Sequence, residues 1–80
     1  MRIVISRFER DLLLAHPETE IIAHELLSEP EGDALNGTPD QCDALREACA
    51  DLLERIGFDE EYAPTIEGQA LEGLIDKLLV

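Results

Sequence analysis

Apolar residues along this chain recur every three or four positions in long stretches, separated by short polar runs without any period. Ser6 followed by Glu9 has the S-x-x-E form of a capping box, in which a hydroxyl and a carboxylate satisfy backbone N–H groups at a helix start. Phe8, Leu12 and Ala15 follow at helical spacing, so a first helix is predicted from Arg7. Pro17 disfavours helical geometry at His16, so that helix stops or kinks there. A second then begins with Glu18 and Glu20 in its first turn, carries Ile22 and Leu26, and ends near Ser28.

Residues 28–38, SEPEGDALNGT, mix Pro, Gly, Asn and acids with no periodicity and are predicted to be an exposed loop. Thr38 caps a third helix, with Pro39 at its first position and Gln41 completing a second capping box. Cys42, Leu45, Cys49, Leu52, Leu53 and Ile56 fill one face of it, and Gly57 supplies the stop. A second loop, FDEEYAP, leads to Thr65 as the cap of a last helix whose apolar set is Ile66, Ala70, Leu71, Leu74, Ile75, Leu78 and Leu79. That set is wide, which predicts a largely buried helix. Gly68 and Gly73 each cost about 1 kcal/mol relative to Ala inside a helix. Close approach of a neighbouring backbone would compensate, and simple tolerance is equally compatible with the sequence.

Residues 1–5 are ambiguous, because Ile3, Val4 and Ile5 favour a strand while no second strand is evident in the chain. They are expected to form an extended tail packed on the helices, or an edge that pairs with a partner protein or with a second copy in a homodimer. The expected architecture is one all-α or mainly α domain over residues 1–80. It is a small bundle of three to four helices with an N-terminal extended or short β segment.

Composition refines this picture. Phe8, Phe58 and Tyr62 are the whole aromatic complement, so the core must be built from Leu, Ile and Ala, a palette suited to helix packing. A chain of 80 residues buries only about 60% of its unfolded surface, leaving little room for a deep catalytic cleft. Nineteen acidic residues face six basic ones, a formal net charge of −13. Such a surface excludes nucleic acid as a direct partner and disfavours an anionic membrane. No apolar stretch approaches the roughly 20 residues of a spanning helix. The charge is unevenly spread, since residues 1–10 hold Arg2, Arg7 and Arg10 against Glu9 while the excess of acid lies beyond them.

Candidate chemistry is sparse. Cys42 and Cys49, seven apart on one helix, lie about 10 Å apart along its axis, beyond disulfide reach. They are predicted to be reduced core residues, and with the early charge in MRIVISRFER this points to the cytoplasm. His16 and His24 are eight apart, so neither pair has the two-to-five spacing of zinc fingers and ribbons, and no metal or cofactor is expected. A nucleophile would have to come from the core cysteines or the capping Ser6, and nothing supplies a pocket to set one carboxylate apart from the rest, so no enzyme activity is expected. Glu29, Glu31 and Asp33 alternate as calcium-loop ligands do, but Ala34 then stands where the turn requires Gly and Asp40 where a bidentate Glu belongs.

The distinctive pattern is on the third helix. Asp40, Asp43, Glu47, Asp51 and Glu54 follow a three-or-four spacing that sets them on one face, opposite the Leu and Cys face. Together they span about 20 Å, and no Lys or Arg lies within the stripe. Exposed helices usually interleave signs, because Glu and Lys four apart add a few tenths of a kcal/mol and like charges subtract as much. Asp59, Glu60, Glu61 and Tyr62 follow in the next loop, where the aromatic adds a typical interface anchor. This combination predicts a partner-binding surface for a basic, nucleic-acid-binding protein, which the chain would neutralise or inhibit. DNA mimics, immunity proteins, antitoxins and anti-CRISPR proteins include small acidic chains of this general kind, although no motif of any of them occurs here. The alternative is a structural or regulatory interaction module whose acidity serves solubility alone.

Overall fold

The computed structural model describes residues 2–27 and 33–79. Residues 28–32, which include Glu29 and Glu31 of the calcium-like spacing and the first five residues of the predicted loop, lie outside the described residues, as does the end of the second helix predicted at Ser28. The elements are β1 (Arg2–Val4), α1 (Arg7–Ala15), α2 (Pro17–Leu26), β2 (Ala34–Asn36), α3 (Pro39–Ile56) and α4 (Ile66–Leu78). The described residues form a mainly α fold of four helices, with a short two-stranded antiparallel sheet.

Both predicted capping boxes are formed. The Ser6 hydroxyl accepts from the Glu9 N–H at 3.1 Å and the Glu9 carboxylate from the Ser6 N–H at 2.7 Å. Thr38 and Gln41 exchange the equivalent bonds at 3.2 and 2.9 Å. Pro17 ends the first helix as expected, with His16 in extended geometry acting as a one-residue corner between α1 and α2. Thr19, fully buried, closes this corner by donating its hydroxyl to the Leu13 carbonyl at 2.6 Å, so a C-terminal carbonyl of α1 is satisfied by a side chain of α2.

Four helices pack in a ring, α1 and α3 each lying against both α2 and α4. One end of the ring holds the sheet: Leu27, after α2, bridges to Leu35 of β2, and Lys77 in the last turn of α4 reaches Glu9 in the first turn of α1. The other end holds the His16 corner and the α3–α4 loop, because Arg55 near the end of α3 bonds both Glu18 and His16. The molecule is elongated, 37 × 23 × 19 Å.

The sequence expectation of a strand without a partner is corrected. Residues 2–4 pair with residues 34–36, in the register Arg2↔Asn36, Ile3↔Leu35, Val4↔Ala34, and the Ile5 N–H donates to the Asp33 carbonyl at 2.8 Å. Residues 34–36 were concealed as a strand because three residues flanked by Gly, Asp and Asn show turn chemistry and no readable alternation. Ile3 and Ile5 enter the core, while Arg2 and Val4 face outward, as a period of two requires.

The core is aliphatic, centred on Leu13, Leu35, Leu45, Leu52, Leu71 and Leu74, with Cys42 and Cys49 as fully buried free thiols among them. Burial pushes the Cys49 thiol up to about 12, so it stays protonated and inert at neutral pH. Four positions of the predicted apolar sets are exposed instead, among them Phe8 and Ile66. The buried side of α1 is centred on Glu9, Leu12 and Leu13, and at about 100° per residue Phe8 lies roughly 95° from that centre. Ile66 lies farther still, roughly 135° from the centre of the Gly68, Leu71, Leu74 and Leu78 side of α4. Ala15 and Leu79 are exposed as well.

Candidate partner-binding surface

α3 is the best-specified helix of the chain, with its capping box at Thr38, Pro39 at the first position and a strict apolar face against α2 and α4. That packing fixes its rotation, and the opposite face is therefore solvent. Asp40, Glu47, Asp51 and Glu54 are exposed there, and Asp43 is half-buried. The structure thus brings all five predicted acids of the stripe onto one outward face.

Two details depart from the sequence expectation. Arg46, on the flank of the stripe, reaches in to pair with Asp43 at 3.1 Å, because residues three apart on a helix are neighbours. Asp59 is exposed, and its Oδ1 accepts from the N–H groups of Glu61 at 2.8 Å and Ala63 at 3.0 Å. Its carboxylate thus shapes the loop as well as facing solvent. Glu60 and Glu61 are exposed, and Tyr62 is 86% exposed.

The basic residues neutralise one member of the stripe, Asp43, and leave the other four. Arg10, Arg46, Arg55 and Lys77 pair with Asp11, Asp43, Glu18 and Glu9. The Arg55 guanidinium, which also approaches His16 Nδ1 at 3.2 Å, holds the Glu18 carboxyl below the usual range, and Glu18 in turn raises Arg55. Arg2 and Arg7 remain, and both belong to the sheet end. Among the described residues, Asp40, Glu47, Asp51 and Glu54 have no ion-pair partner.

The loop between α3 and α4 is tightly built. The Asp59 N–H donates to the Ala63 carbonyl at 2.9 Å and the Tyr62 N–H to the Asp59 carbonyl at 3.0 Å, while Phe58 and Pro64 form an isolated bridge. Below it, Thr65 N–H donates to the Gly57 carbonyl at 2.8 Å and its hydroxyl to the Ile56 carbonyl at 2.9 Å. Gly68 then lies so close that a Cβ would run into the Gly57 carbonyl, which gives that glycine the close-approach role foreseen for it. At Gly73 a Cβ would meet only Glu9 Oε2, at an ordinary contact distance of 4.0 Å, so this glycine is simply tolerated. Gly57 has φ −76°, so its stop function does not use the left-handed conformation; a Cβ there would collide with the Leu53 side chain and carbonyl.

Tyr62 has φ 63°, and among the described residues no other non-glycine residue has a positive φ. That conformation costs an L-residue about 1 to 2 kcal/mol, offset here by the Asp59 bonds. The Asp at the head of FDEEYAP is the signal that could have revealed this, since Asp at the start of a turn bonds the backbone two residues on. The exposure of Phe58 and Ile66, in the same stretch of chain as Tyr62, carried no signal in the sequence.

Charge density limits what the stripe can do. Five carboxylates over about 20 Å give one charge per roughly 4 to 5 Å, against one per about 1.7 Å of duplex DNA axis. The face is acidic, but at less than half the linear charge density of a duplex. No family model matches the chain, and no curated protein or solved structure is similar to it. Among the described residues no helix is long and apolar enough to cross a membrane, and no three His, Cys, Asp or Glu residues are grouped to hold a metal ion.

Proposed function

We propose that this chain is a small acidic binding protein that docks the α3 carboxylate face, continued by Glu60, Glu61 and Tyr62, onto a basic protein that binds nucleic acid, and thereby neutralises or inhibits it. The mode resembles that of DNA mimics, immunity proteins, antitoxins and anti-CRISPR proteins in general character. The observation that carries this reading is the set of exposed acids at Asp40, Glu47, Asp51 and Glu54, left without ion-pair partners among the described residues, while Arg46 pairs with Asp43 alone and Arg10, Arg55 and Lys77 pair outside the face. A surface selected for stability alone would interleave Lys at these positions. Acids so placed steer a cationic partner over a Debye length of about 10 Å and deny its nucleic-acid site to phosphates.

The test uses the whole chain and a variant with Asp43→Lys, Glu47→Lys and Asp51→Lys. Immobilised in an extract of its native cell at about 50 mM and 200 mM salt, the chain should retain basic proteins at the lower salt and release them at the higher. Those proteins should lose their nucleic acid in competition. The reversed variant should retain none of them. Equal retention by the variant, or retention indifferent to salt, would sink the proposal in favour of an interaction module whose acidity serves solubility.

A further inference from the structure

Among the described residues seven large apolar side chains are exposed, and three of them, Phe58 at 44%, Tyr62 at 86% and Ile66 at 72%, fall within residues 58–66. Single exposed apolar residues are ordinary, but a concentration of them rimmed by charge marks an interaction site. The loop that displays them is held by its own backbone and by Asp59, and Thr65 ties its base to the end of α3. An aromatic ring offered on a pre-ordered loop loses little conformational freedom on binding, which favours affinity.

Charge decides what covers such a patch. Glu60, Glu61 and Glu67 alternate with the three apolar residues along this stretch of chain and are all exposed. A second copy pairing through this loop would set like charges against each other, and nucleic acid or an anionic membrane would be repelled in the same way. A protein surface with an apolar depression ringed by Lys or Arg is complementary in both respects. We propose that Tyr62, flanked by Phe58 and Ile66, is the anchor that inserts into such a depression on the basic protein engaged by α3. This rests on the reading of α3 as a docking face and assigns the two parts separate work. The α3 acids govern encounter and its salt dependence, and the loop governs the lifetime of the complex.

Two synthetic peptides of identical positive charge serve as probes, one alternating Lys and Arg with Leu and Trp, the other with Gly and Ser, together with an acidic version of the first. Fluorescence anisotropy should show the apolar cationic peptide binding about tenfold more tightly than its polar counterpart, the scale of one anchor residue. The acidic version should not bind. Tyr62→Asn, which keeps a residue tolerant of positive φ, should remove that ratio and leave the salt dependence unchanged. Ile66→Gln should reduce the ratio without disturbing the loop. Ile21→Gln, a remote exposed apolar position on α2, should change nothing. The proposal is overturned if neither cationic peptide binds, if both bind alike, if the acidic version binds equally well, or if Tyr62→Asn leaves the ratio intact. Reversal of Asp43, Glu47 and Asp51 separates the two ideas. If it leaves the affinity for both cationic peptides unchanged while the Tyr62-dependent ratio stands, the α3 reading fails and the loop anchor survives.

Discussion

Glu9 serves two helices at once. Its Oε1 accepts from the Ser6 N–H at 2.7 Å, closing the start of α1, and from Lys77 Nζ at 2.7 Å, tying α1 to the end of α4. Burial pushes its pKa up, but the Lys77 ammonium and the Ser6 hydrogen bonds together outweigh that and hold the carboxyl below its ordinary value of 4.5. A carboxylate with a lowered native pKa contributes stability that is complete above the unfolded value and is lost as pH falls through the native one. Glu9→Gln should therefore cost about 1 to 2 kcal/mol at neutral pH, and the gap between wild type and variant should close as pH falls below 4.5. Urea unfolding of both proteins across that range measures the gap; a gap that stays constant to pH 3 would show that Lys77 and Ser6 do not act on the charged form. From the sequence, Glu9 was legible as a cap only. Its second partner is 68 residues away, and no local pattern announces a contact of that range.

At the scale of elements, caps and periods were the reliable signals and surroundings the unreliable ones. Thr38 with Gln41, Pro39 at the first position and the Leu and Cys face defined α3, because each is a local interaction that a short window contains. β2 escaped, since its three residues become a strand only when β1 arrives from 30 residues earlier. The acidic stripe was legible for the same reason as the helix that carries it. The hydrogen bonds of Asp59 to its own loop and the exposure of Phe58 and Ile66 required the three-dimensional course of the chain. The two glycines of α4 give this contrast an experimental form. Gly73→Ala, with Glu9 Oε2 the nearest neighbour at 4.0 Å, should stabilise the protein by about 0.5 to 1 kcal/mol. Gly68→Ala should instead destabilise it by about 2 kcal/mol or more, because the Gly57 carbonyl must be displaced to admit the methyl group. Thermal unfolding distinguishes the two, and a stabilising Gly68→Ala would refute the close packing of α4 on the end of α3.

For the molecule as a whole, a net charge of −13 on 80 residues works against compactness. Added salt should raise the melting temperature, and the variant with Asp43, Glu47 and Asp51 reversed should be more stable than wild type at low salt and less responsive to salt. A relief of about 1 kcal/mol corresponds to roughly 4 to 8 °C for a domain of this size. A calorimetric salt series on both proteins measures this; a reversed variant melting below wild type at low salt would count against repulsion along α3. The same measurement shows that any binding lost by this variant is not lost to unfolding. The pairing of β1 with β2 bears on the order of events in folding. Four helices of mainly local contacts form quickly, whereas joining residues 2–4 to residues 34–36 closes a loop that contains α1 and α2. Closure of such a loop is entropically unfavourable until the helices inside it have shortened the chain. The strands thus register last, as a latch drawn across two helices already in place, and the Ile5 N–H held by Asp33 is the amide that reports when it shuts.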